Sequence, residues 1–160
     1  MKVFFASDHA GFELKKVLLP YVRDLGHEVE DCGAYTYQED DDYPDFVSKV
    51  AKMVYDTPDT KAIILGGSGQ GEAMVANRFP RVRAAVYYEP ARMQTDADGK
   101  DLDMVSSVRA HNDANVLSLG CRFLNEEEVK RVVSLWLSTP FSGDERHRRR
   151  IEKIENYPHG

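Results

Sequence analysis

Cysteine is scarce in this chain, which has Cys32 and Cys121 and no others among its 160 residues. Two cysteines are too few for a disulfide framework or a cysteine-ligated zinc site, so we expect two reduced thiols and a cytoplasmic protein. Long apolar runs are missing as well, because none approaches the roughly 18 residues that a membrane-spanning helix needs. Residues 1–8 reach a charge too soon for the apolar part of a signal peptide.

Positive charge is also in the minority, with 21 Lys and Arg against 27 Asp and Glu and a net charge of −6. An acidic chain is a poor general binder of nucleic acid or of anionic membranes, and we expect neither as a partner. No H-E-x-x-H motif and no paired Cys/His spacing occurs, which argues against a metal site. Any phosphate must be held by a local cluster of donors, while the acidic run at 39–42 is expected to form a solvated loop.

The rest of the composition is that of an ordinary globular protein, and the length fits one domain over residues 1–160. Short apolar runs alternate with segments of helical period, which is typical of an α/β domain with a parallel sheet. Strands are predicted at 3–6, 28–32, 62–65, 83–87 and 115–119. Helices are predicted near 14–25, from Tyr43 onward, over 69–78, after the capping residue Asn125 and, with mostly charged residues, over 144–156. Residues 93–107 lack a clear period and are expected to form a loop or a short helical insertion.

The most informative stretch is a glycine-rich loop, defined here as residues 66–71. It follows the strand predicted at 62–65 and holds four glycines in six residues. In a parallel sheet this loop lies at the carboxyl end of a strand, where ligands bind, and glycine lets backbone N–H groups approach an anion closely. A purely structural tight turn is the alternative, although one or two glycines would suffice for it.

The glycine-rich loop matches neither of two common nucleotide-binding motifs. A P-loop needs a lysine after its last glycine, where this chain has Glu72, and the G-x-G-x-x-G spacing is not met either. A carboxylate beside a hydroxyl and free amides can instead take a carbon-bound proton, while Ser68 and the loop amides stabilise the resulting oxyanion. The helix dipole and the amides would lower the pKa of Glu72, and burial would raise it, so the direction stays open.

Two histidine-containing pairs are further candidates. Asp8 and His9 follow the first predicted strand and should project from the same sheet edge as the glycine-rich loop, with a structural histidine as the alternative. His111 and Asn112 precede the last predicted strand, where a simple turn is the alternative.

Arginines near the carboxyl terminus form the third candidate group. Arg146 and Arg150 are four residues apart and share one face of the predicted helix, an arrangement that suits a phosphate. A solvated basic patch is the alternative, and a nucleic-acid contact is disfavoured by the acidic chain without interleaved aromatics.

Taken together, these residues resemble the type B ribose-5-phosphate isomerases and the related galactose-6-phosphate isomerases. The matching segments follow the family's order over nearly the whole chain, and they are 7–15, 42–44, 66–72, 76–78, 111–117, 120–122 and Arg146, His147 and Arg150. Each segment alone is weak, whereas the set is specific.

The resemblance implies a three-layer α/β/α sandwich with a five-stranded parallel, Rossmann-like sheet and a C-terminal charged helix. It also implies a cofactor-independent aldose–ketose isomerisation of a phosphosugar by a homodimer whose active sites draw residues from both chains. Pairing of dimers into a tetramer stays open. In one branch of the family the base is a cysteine at the position of Gly66, and in the other it is a glutamate at the position of Glu72. This chain resembles the glutamate branch, because it has both Gly66 and Glu72.

The resemblance further implies catalytic roles. His111 would help to open the furanose ring, and Glu72 would move a proton between C2 and C1 through an enediolate. Ser68 would hold the enediolate oxygen with help from Asn112 and from the loop residues Gly67, Gly69, Gln70 and Gly71.

Binding roles follow in the same way. Asp8 would bind sugar hydroxyls or assist ring opening, and Tyr43 would line the pocket. The phosphate would be gripped, in part from the partner subunit, by His9, Arg122, Arg146 and Arg150.

Ribose 5-phosphate is the substrate that the resemblance favours, with one departure from the family's pattern. Between Glu89 and His111 this chain carries more residues than we expect of the family, next to the proposed ring-opening histidine. An isomerase of a tetrose or hexose phosphate therefore stays open, as does a non-catalytic phosphosugar-binding module. A pure binding site would gain nothing from the Glu72 carboxylate.

Overall fold

Residues 1–88, 94–95, 99 and 101–156 are the part of the chain that this computed structural model describes. Within them, strands and helices alternate along most of the chain. Their order is β1 (Lys2–Ser7), α1 (Phe12–Asp24), β2 (Glu28–Asp31), α2 (Tyr43–Asp56), β3 (Lys61–Gly66), α3 (Gln70–Ala76), β4 (Ala84–Tyr87), β5 (Gln94–Thr95), β6 (Asp101–Leu102), α4 (Met104–Asn112), β7 (Val116–Gly120), α5 (Glu126–Ser138) and α6 (Glu145–Glu155).

The main sheet has five strands in the order β2-β1-β3-β7-β4, and every neighbouring pair is parallel. Each of the five apolar runs predicted from the sequence is one of these strands. β3 lies in the middle of the sheet and pairs with β1 on one side and β7 on the other. The α/β class and the five-stranded parallel sheet are confirmed.

Alternating strand residues build a separate core on each face of the sheet. On β1, Val3 and Phe5 pack in the core that includes residues of α1, α4 and α5. Phe4 and Ala6 pack in the other core, with residues of α2 and α3. Helices therefore cover both faces, and the predicted three layers are confirmed.

Two of the helix starts predicted from the sequence are confirmed in the structure. α2 begins at Tyr43 with Pro44 in its first turn, where the missing N–H costs nothing. α5 begins after Asn125, whose side chain accepts a hydrogen bond from the Glu128 N–H at 2.9 Å. None of the helices in the described ranges is long and apolar enough to cross a membrane.

The segment before the last sheet strand differs from the sequence expectation. In the segment 93–107, expected to be a loop or a short helical insertion, Gln94–Thr95 and Asp101–Leu102 form a short antiparallel pair, β5 with β6, and residues 104–107 open α4, which runs on to Asn112. The Asp103 side chain starts this helix by accepting hydrogen bonds from the Val105 and Ser106 N–H groups. Residues 93, 96–98 and 100 lie outside the described residues. His111 and Asn112 therefore stand at the end of a helix and not in a simple loop.

Candidate active site

The carboxyl ends of three neighbouring strands form one edge of the sheet, which we call the carboxyl edge. β1 ends at Ser7, β3 at Gly66 and β7 at Gly120, with β3 in the middle. Directly after these strands come Asp8 and His9, the glycine-rich loop, and Cys121 and Arg122. The parallel sheet thus brings together residues that lie far apart in the sequence, at the edge where such folds bind ligands.

The glycine-rich loop packs tightly onto the end of β7. Gly69 has a φ of 73°, which favours glycine, and its carbonyl accepts a hydrogen bond from Ser118 Oγ at 2.6 Å. A side chain at Gly120 would place its Cβ 2.7 Å from the Ser68 carbonyl oxygen. The contact with β7 therefore sets the course of the loop backbone.

Two of the predicted binding residues flank this loop. A Cβ at Gly67 would stand 3.4 Å from the Arg122 guanidinium carbon, and a Cβ at Gly71 would stand 2.5 Å from the Tyr43 hydroxyl. Arg122 and Tyr43 thus border the loop from different elements. They place a positive charge and a hydroxyl beside its backbone.

Glu72 is a buried carboxylate in the first turn of α3, and it is only 3% exposed. Its side chain fills the space above Gly66, where a Cβ would overlap Glu72 Oε1. Burial raises the pKa of Glu72, a backbone hydrogen bond lowers it by less, and the nearby Asp8 charge adds to the rise. The sequence left open whether the pKa of Glu72 is raised or lowered, and in the structure it is raised. A raised pKa suits a general base that works near neutral pH.

Asp8 is a second buried carboxylate at the same edge. Its Oδ1 accepts hydrogen bonds from the Ala10 N–H at 2.9 Å and the Gly11 N–H at 3.2 Å, which fix the direction of the side chain. Burial raises the pKa of Asp8 despite these two hydrogen bonds. The carboxyl edge thus holds two acids whose protonated forms are favoured by their surroundings.

His9 stands beside these carboxylates and is partly exposed. Its Nδ1 lies 2.9 Å from Asp41 Oδ1, and this hydrogen bond raises the pKa of His9, with the Asp8 charge acting in the same direction. The Arg122 charge lowers the pKa of His9 slightly, so the two side chains are close enough to interact electrostatically. The structure therefore brings Asp8, His9, Tyr43, the glycine-rich loop, Glu72 and Arg122 to one place.

The remaining predicted residues form a second cluster on α4 and α6. The rings of His111 and His147 lie 4.4 Å apart between centroids, and His111 Nδ1 is 3.2 Å from Ser107 Oγ. His147 is 3% exposed, and burial lowers its pKa, with the His111 charge adding to the effect. Asn112 and the predicted phosphate-binding arginines of α6, Arg146 and Arg150, are exposed around this pair.

This second cluster lies at the opposite edge of the sheet, which we call the amino edge. The Asn112 carbonyl accepts a hydrogen bond from Arg83 Nε at 2.9 Å, and Arg83 directly precedes β4. At about 3.3 Å per residue, β7 separates the two edges by roughly 16 Å. Within one chain, His111 and Asn112 are therefore not brought to Glu72.

A cavity of about 510 Å³ also opens at the amino edge, between the starts of the strands and the end of α6. Its walls include Arg83, which pairs with Asp113 and Glu155, and Arg109, which pairs with Asp113. These arginines serve as internal ion pairs. The cavity carries none of the candidate catalytic residues.

Comparison with known proteins identifies the family. A family model described as Ribose/Galactose Isomerase matches residues 3–154. The chain belongs to this isomerase family. A ribose-5-phosphate isomerase B of Mycolicibacterium paratuberculosis is 36% identical over 157 residues, which cover 98% of this chain and 91% of the relative.

Solved structures of family members share the fold closely. A ribose-5-phosphate isomerase B from Mycoplasma genitalium with bound ribulose-5-phosphate has a TM-score of 0.86 and 34% identity, covering 98% of this chain and 95% of the other. A ribose 5-phosphate isomerase from Thermotoga maritima has a TM-score of 0.82 and 40% identity, with 96% and 97% covered. Both likenesses extend over the elements that carry the two clusters.

Within this family, the environment of Gly66 and Cys121 agrees with the glutamate branch. Glu72 occupies the space that a side chain at position 66 would need. Cys121 follows β7 at the same edge, and burial raises the pKa of its thiol to about 12, with the Asp8 and Glu72 charges adding to the rise. This cysteine therefore stays a thiol at neutral pH, which disfavours it as a base.

Two buried residues of the clusters had no predicted role. Asp41 belongs to the acidic run that was expected to be a solvated loop, but its side chain is only 6% exposed and contacts His9. His147 lies beside Arg146 in a matching segment, and its burial against His111 follows from the packing of α6 on α4. A local sequence pattern carries neither contact, because each joins residues more than 30 positions apart.

The donor atoms of Asp8, His9 and Asp41 lie within 4.8 Å of one another, a spacing that could hold a cation. Asp8 Oδ1 is engaged by two backbone N–H groups, and His9 Nδ1 is engaged by its hydrogen bond to Asp41. We therefore assign these residues to hydrogen bonding and to no metal.

Proposed function

We propose that the chain interconverts ribose 5-phosphate and ribulose 5-phosphate through an enediolate without a cofactor. Family membership supports the reaction class, and the names of the relatives, one with ribulose-5-phosphate bound, support the substrate. The observation that carries the mechanism is Glu72, a buried carboxylate with a raised pKa beside the glycine-rich loop.

In the proposed reaction, the ionised Glu72 takes the proton from C2 of the open-chain aldose. The electrons of that C–H bond form the C1–C2 double bond, and the carbonyl oxygen becomes an oxyanion. Glu72 then returns the proton to C1, and the hydroxyl proton of C2 is transferred to the oxygen of C1, which leaves the ketose. The raised pKa of Glu72 makes it a stronger base than an ordinary carboxylate.

The oxyanion is stabilised by the glycine-rich loop in this proposal. Ser68 supplies a hydroxyl, and backbone N–H groups come from four other loop residues, Gly67, Gly69, Gln70 and Gly71. The loop is pressed onto β7 and is thereby held in place before the charge develops. Donors that need no rearrangement are the ones that lower a transition-state barrier most.

A second copy of the chain completes the site. His111 for ring opening and Asn112 for the enediolate lie at the amino edge, and so do the phosphate-binding Arg146 and Arg150. Because these residues stand away from Glu72 in one chain, we propose a homodimer in which the amino edge of one copy meets the carboxyl edge of the other. Further pairing into a tetramer is compatible with this arrangement.

The phosphate is then held from both chains. His9 and Arg122 are supplied by the carboxyl edge, and Arg146 and Arg150 by α6 of the partner subunit. This local group of cations supports phosphate binding by a chain whose net charge is −6. The free cysteines Cys32 and Cys121 support a cytoplasmic location, where thiols stay reduced.

An isomerisation assay over four-, five- and six-carbon aldose and ketose phosphates tests this proposal. We expect the highest kcat/KM with ribose 5-phosphate, and a fall in kcat of about 10²- to 10⁴-fold in Glu72→Gln with little change in KM. The exposed Glu127 gives a matched control, because Glu127→Gln removes the same charge and should leave both constants unchanged.

Three outcomes would contradict the proposal in different ways. Preference for a tetrose or hexose phosphate would change the substrate and keep the mechanism. Near-wild-type turnover of Glu72→Gln would remove Glu72 as the base. Binding of the sugar phosphates without turnover of any would leave a binding module.

A further inference from the structure

The acidic run at 39–42 contains one residue that behaves unlike its neighbours. Glu39, Asp40 and Asp42 are exposed, whereas the side chain of Asp41 is only 6% exposed. A buried carboxylate costs stability unless it is hydrogen-bonded, so its contacts indicate what it does. Asp41 has no part in the proposed proton transfer.

Among the described residues, His9 is the partner in every hydrogen bond of the Asp41 side chain. Asp41 Oδ1 accepts from the His9 backbone N–H at 2.8 Å and lies 2.9 Å from His9 Nδ1. Asp41 Oδ2 is buried and has no hydrogen-bond partner among the described residues. The carboxylate therefore forms hydrogen bonds with both the backbone and the ring of His9, which is 32 positions away.

We propose that Asp41 is a positioning residue that holds His9 in the orientation needed to bind the phosphate of the substrate. This inference rests on the proposed phosphosugar function. With Nδ1–H donating to Asp41, the remaining ring nitrogen, Nε2, is the donor that His9 can offer to a phosphate oxygen. The backbone hydrogen bond fixes the start of the side chain, and the ring hydrogen bond fixes its rotation.

The same contact controls the charge of His9. The groups that face the ring are Asp41, Asp8 and Arg122, with the edge of Tyr37 at 6.5 Å between ring centroids. Asp41 raises the pKa of His9 most and Asp8 raises it too, while partial burial and Arg122 lower it. Asp41 therefore keeps the imidazole cationic up to a higher pH, and a cation binds phosphate more strongly than a neutral ring.

Asp41→Asn tests this role, because asparagine keeps the shape of the side chain and removes its charge. We expect KM for ribose 5-phosphate to rise about tenfold and kcat to stay within about twofold, since a lost binding contact acts on both ground and transition states. The rise should grow with pH above the ordinary pKa of histidine, because a less basic His9 loses its charge there first. Asp40→Asn is the matched control and should leave KM unchanged.

A double-mutant cycle separates positioning from a general structural effect. If Asp41 acts through His9, Asp41→Asn should add little to the KM of His9→Gln, and Asp41→Glu should restore part of the wild-type KM. Additive effects of the two substitutions, or an unchanged KM in Asp41→Asn, would overturn the proposal. Should Asp41→Asn unfold, Asp41→Glu alone carries the same comparison.

Nuclear magnetic resonance of ¹⁵N-labelled histidine measures the protonation and the pKa of His9 independently of catalytic activity. The wild type should show a proton on Nδ1 and a raised pKa for His9, and Asp41→Asn should lower that pKa and weaken the binding of inorganic phosphate. An identical His9 titration in both proteins would refute the inference. If the wild type isomerises no sugar phosphate, the proposed function fails while this measurement still decides the role of Asp41.

Discussion

At the scale of single residues, the proposed site contains two buried carboxylates, Glu72 and Asp8, that lie near each other. Burial raises the pKa of both, and the Asp8 charge raises that of Glu72 further. A carboxylate in this position is a stronger base than it would be on the surface. The ionised form that catalysis needs is therefore the form that the folded protein disfavours.

Because burial disfavours the ionised form of Glu72, replacing Glu72 by glutamine should change the stability of the fold. The pKa of Glu72 is raised in the folded state, so its favourable contribution to folding is present below the unfolded pKa and is lost as pH rises through the folded pKa. At pH 7, above the unfolded pKa, this contribution is reduced or lost in the wild type, whereas the amide has no charge to bury. We expect the Tm of Glu72→Gln to be about 2–4 °C higher at pH 7.

Scanning calorimetry at pH 7 and at about pH 4, near the ordinary pKa of glutamate, checks the sign of this difference in Tm between the variant and the wild type. The gain in Tm should shrink at the lower pH, because the wild-type carboxyl group is then protonated. A lower Tm at pH 7 in the variant would show that the ionised Glu72 stabilises the fold.

Residues whose position in the fold follows from a local pattern could be placed from the sequence. Ser68 and Glu72 stand in a glycine-rich stretch after an apolar strand, and Tyr43 precedes the proline that opens α2. Asp41 could not be distinguished from the exposed acids beside it, because its burial depends on His9, which lies 32 positions away. Contacts of this kind exist only once the strands have placed the loops.

At the scale of elements, the strands were easier to predict than the helix α4. Strands covered on both faces become nearly continuous apolar runs, and β3 is such a run. α4 buries Val105 and Arg109 and otherwise consists mostly of polar residues, so its period is weak. Its clearest start signal is the single capping residue Asp103.

Asp103 therefore predicts a measurable effect on the element that carries His111. Its side chain accepts hydrogen bonds from two N–H groups in the first turn of α4, at 2.8 and 3.1 Å. Asp103→Ala should cost about 1 kcal/mol in the free energy of unfolding, which lowers Tm by about 2–4 °C.

Thermal unfolding of Asp103→Ala against Asp101→Ala checks this cap. Asp101 is exposed on β6, so its replacement should leave Tm nearly unchanged. Equal Tm values for the two variants would mean that the Asp103 hydrogen bonds do not stabilise α4.

At the scale of the whole molecule, the two halves of the proposed site lie at opposite edges of one sheet. Glu72, the glycine-rich loop, His9 and Arg122 belong to the carboxyl edge, and His111, Asn112 and the two arginines of α6 belong to the amino edge. The sequence alone assigns these residues to one reaction through resemblance. It does not show that they stand apart within a chain, because that depends on which end of β7 each segment joins.

Mixed dimers of two variants, each damaged at one edge, should therefore regain activity. Glu72→Gln breaks the carboxyl edge and His111→Asn breaks the amino edge, so each homodimer has two damaged sites. A mixed dimer has one site with both substitutions and one intact site. When the two variants are mixed in equal amounts, about half of the dimers are mixed, and each mixed dimer has one intact site out of two. The mixture should therefore have about a quarter of the wild-type activity.

The most direct measurement is the isomerase activity of these two variants after they are unfolded together in equal amounts and refolded. Recovery of about a quarter of the wild-type kcat is the result that shared sites predict. A mixture of Glu72→Gln with Asp8→Asn, both at the carboxyl edge, should recover nothing. If the first mixture stays as inactive as its parents, the site is not built from Glu72 of one chain and His111 of the partner subunit.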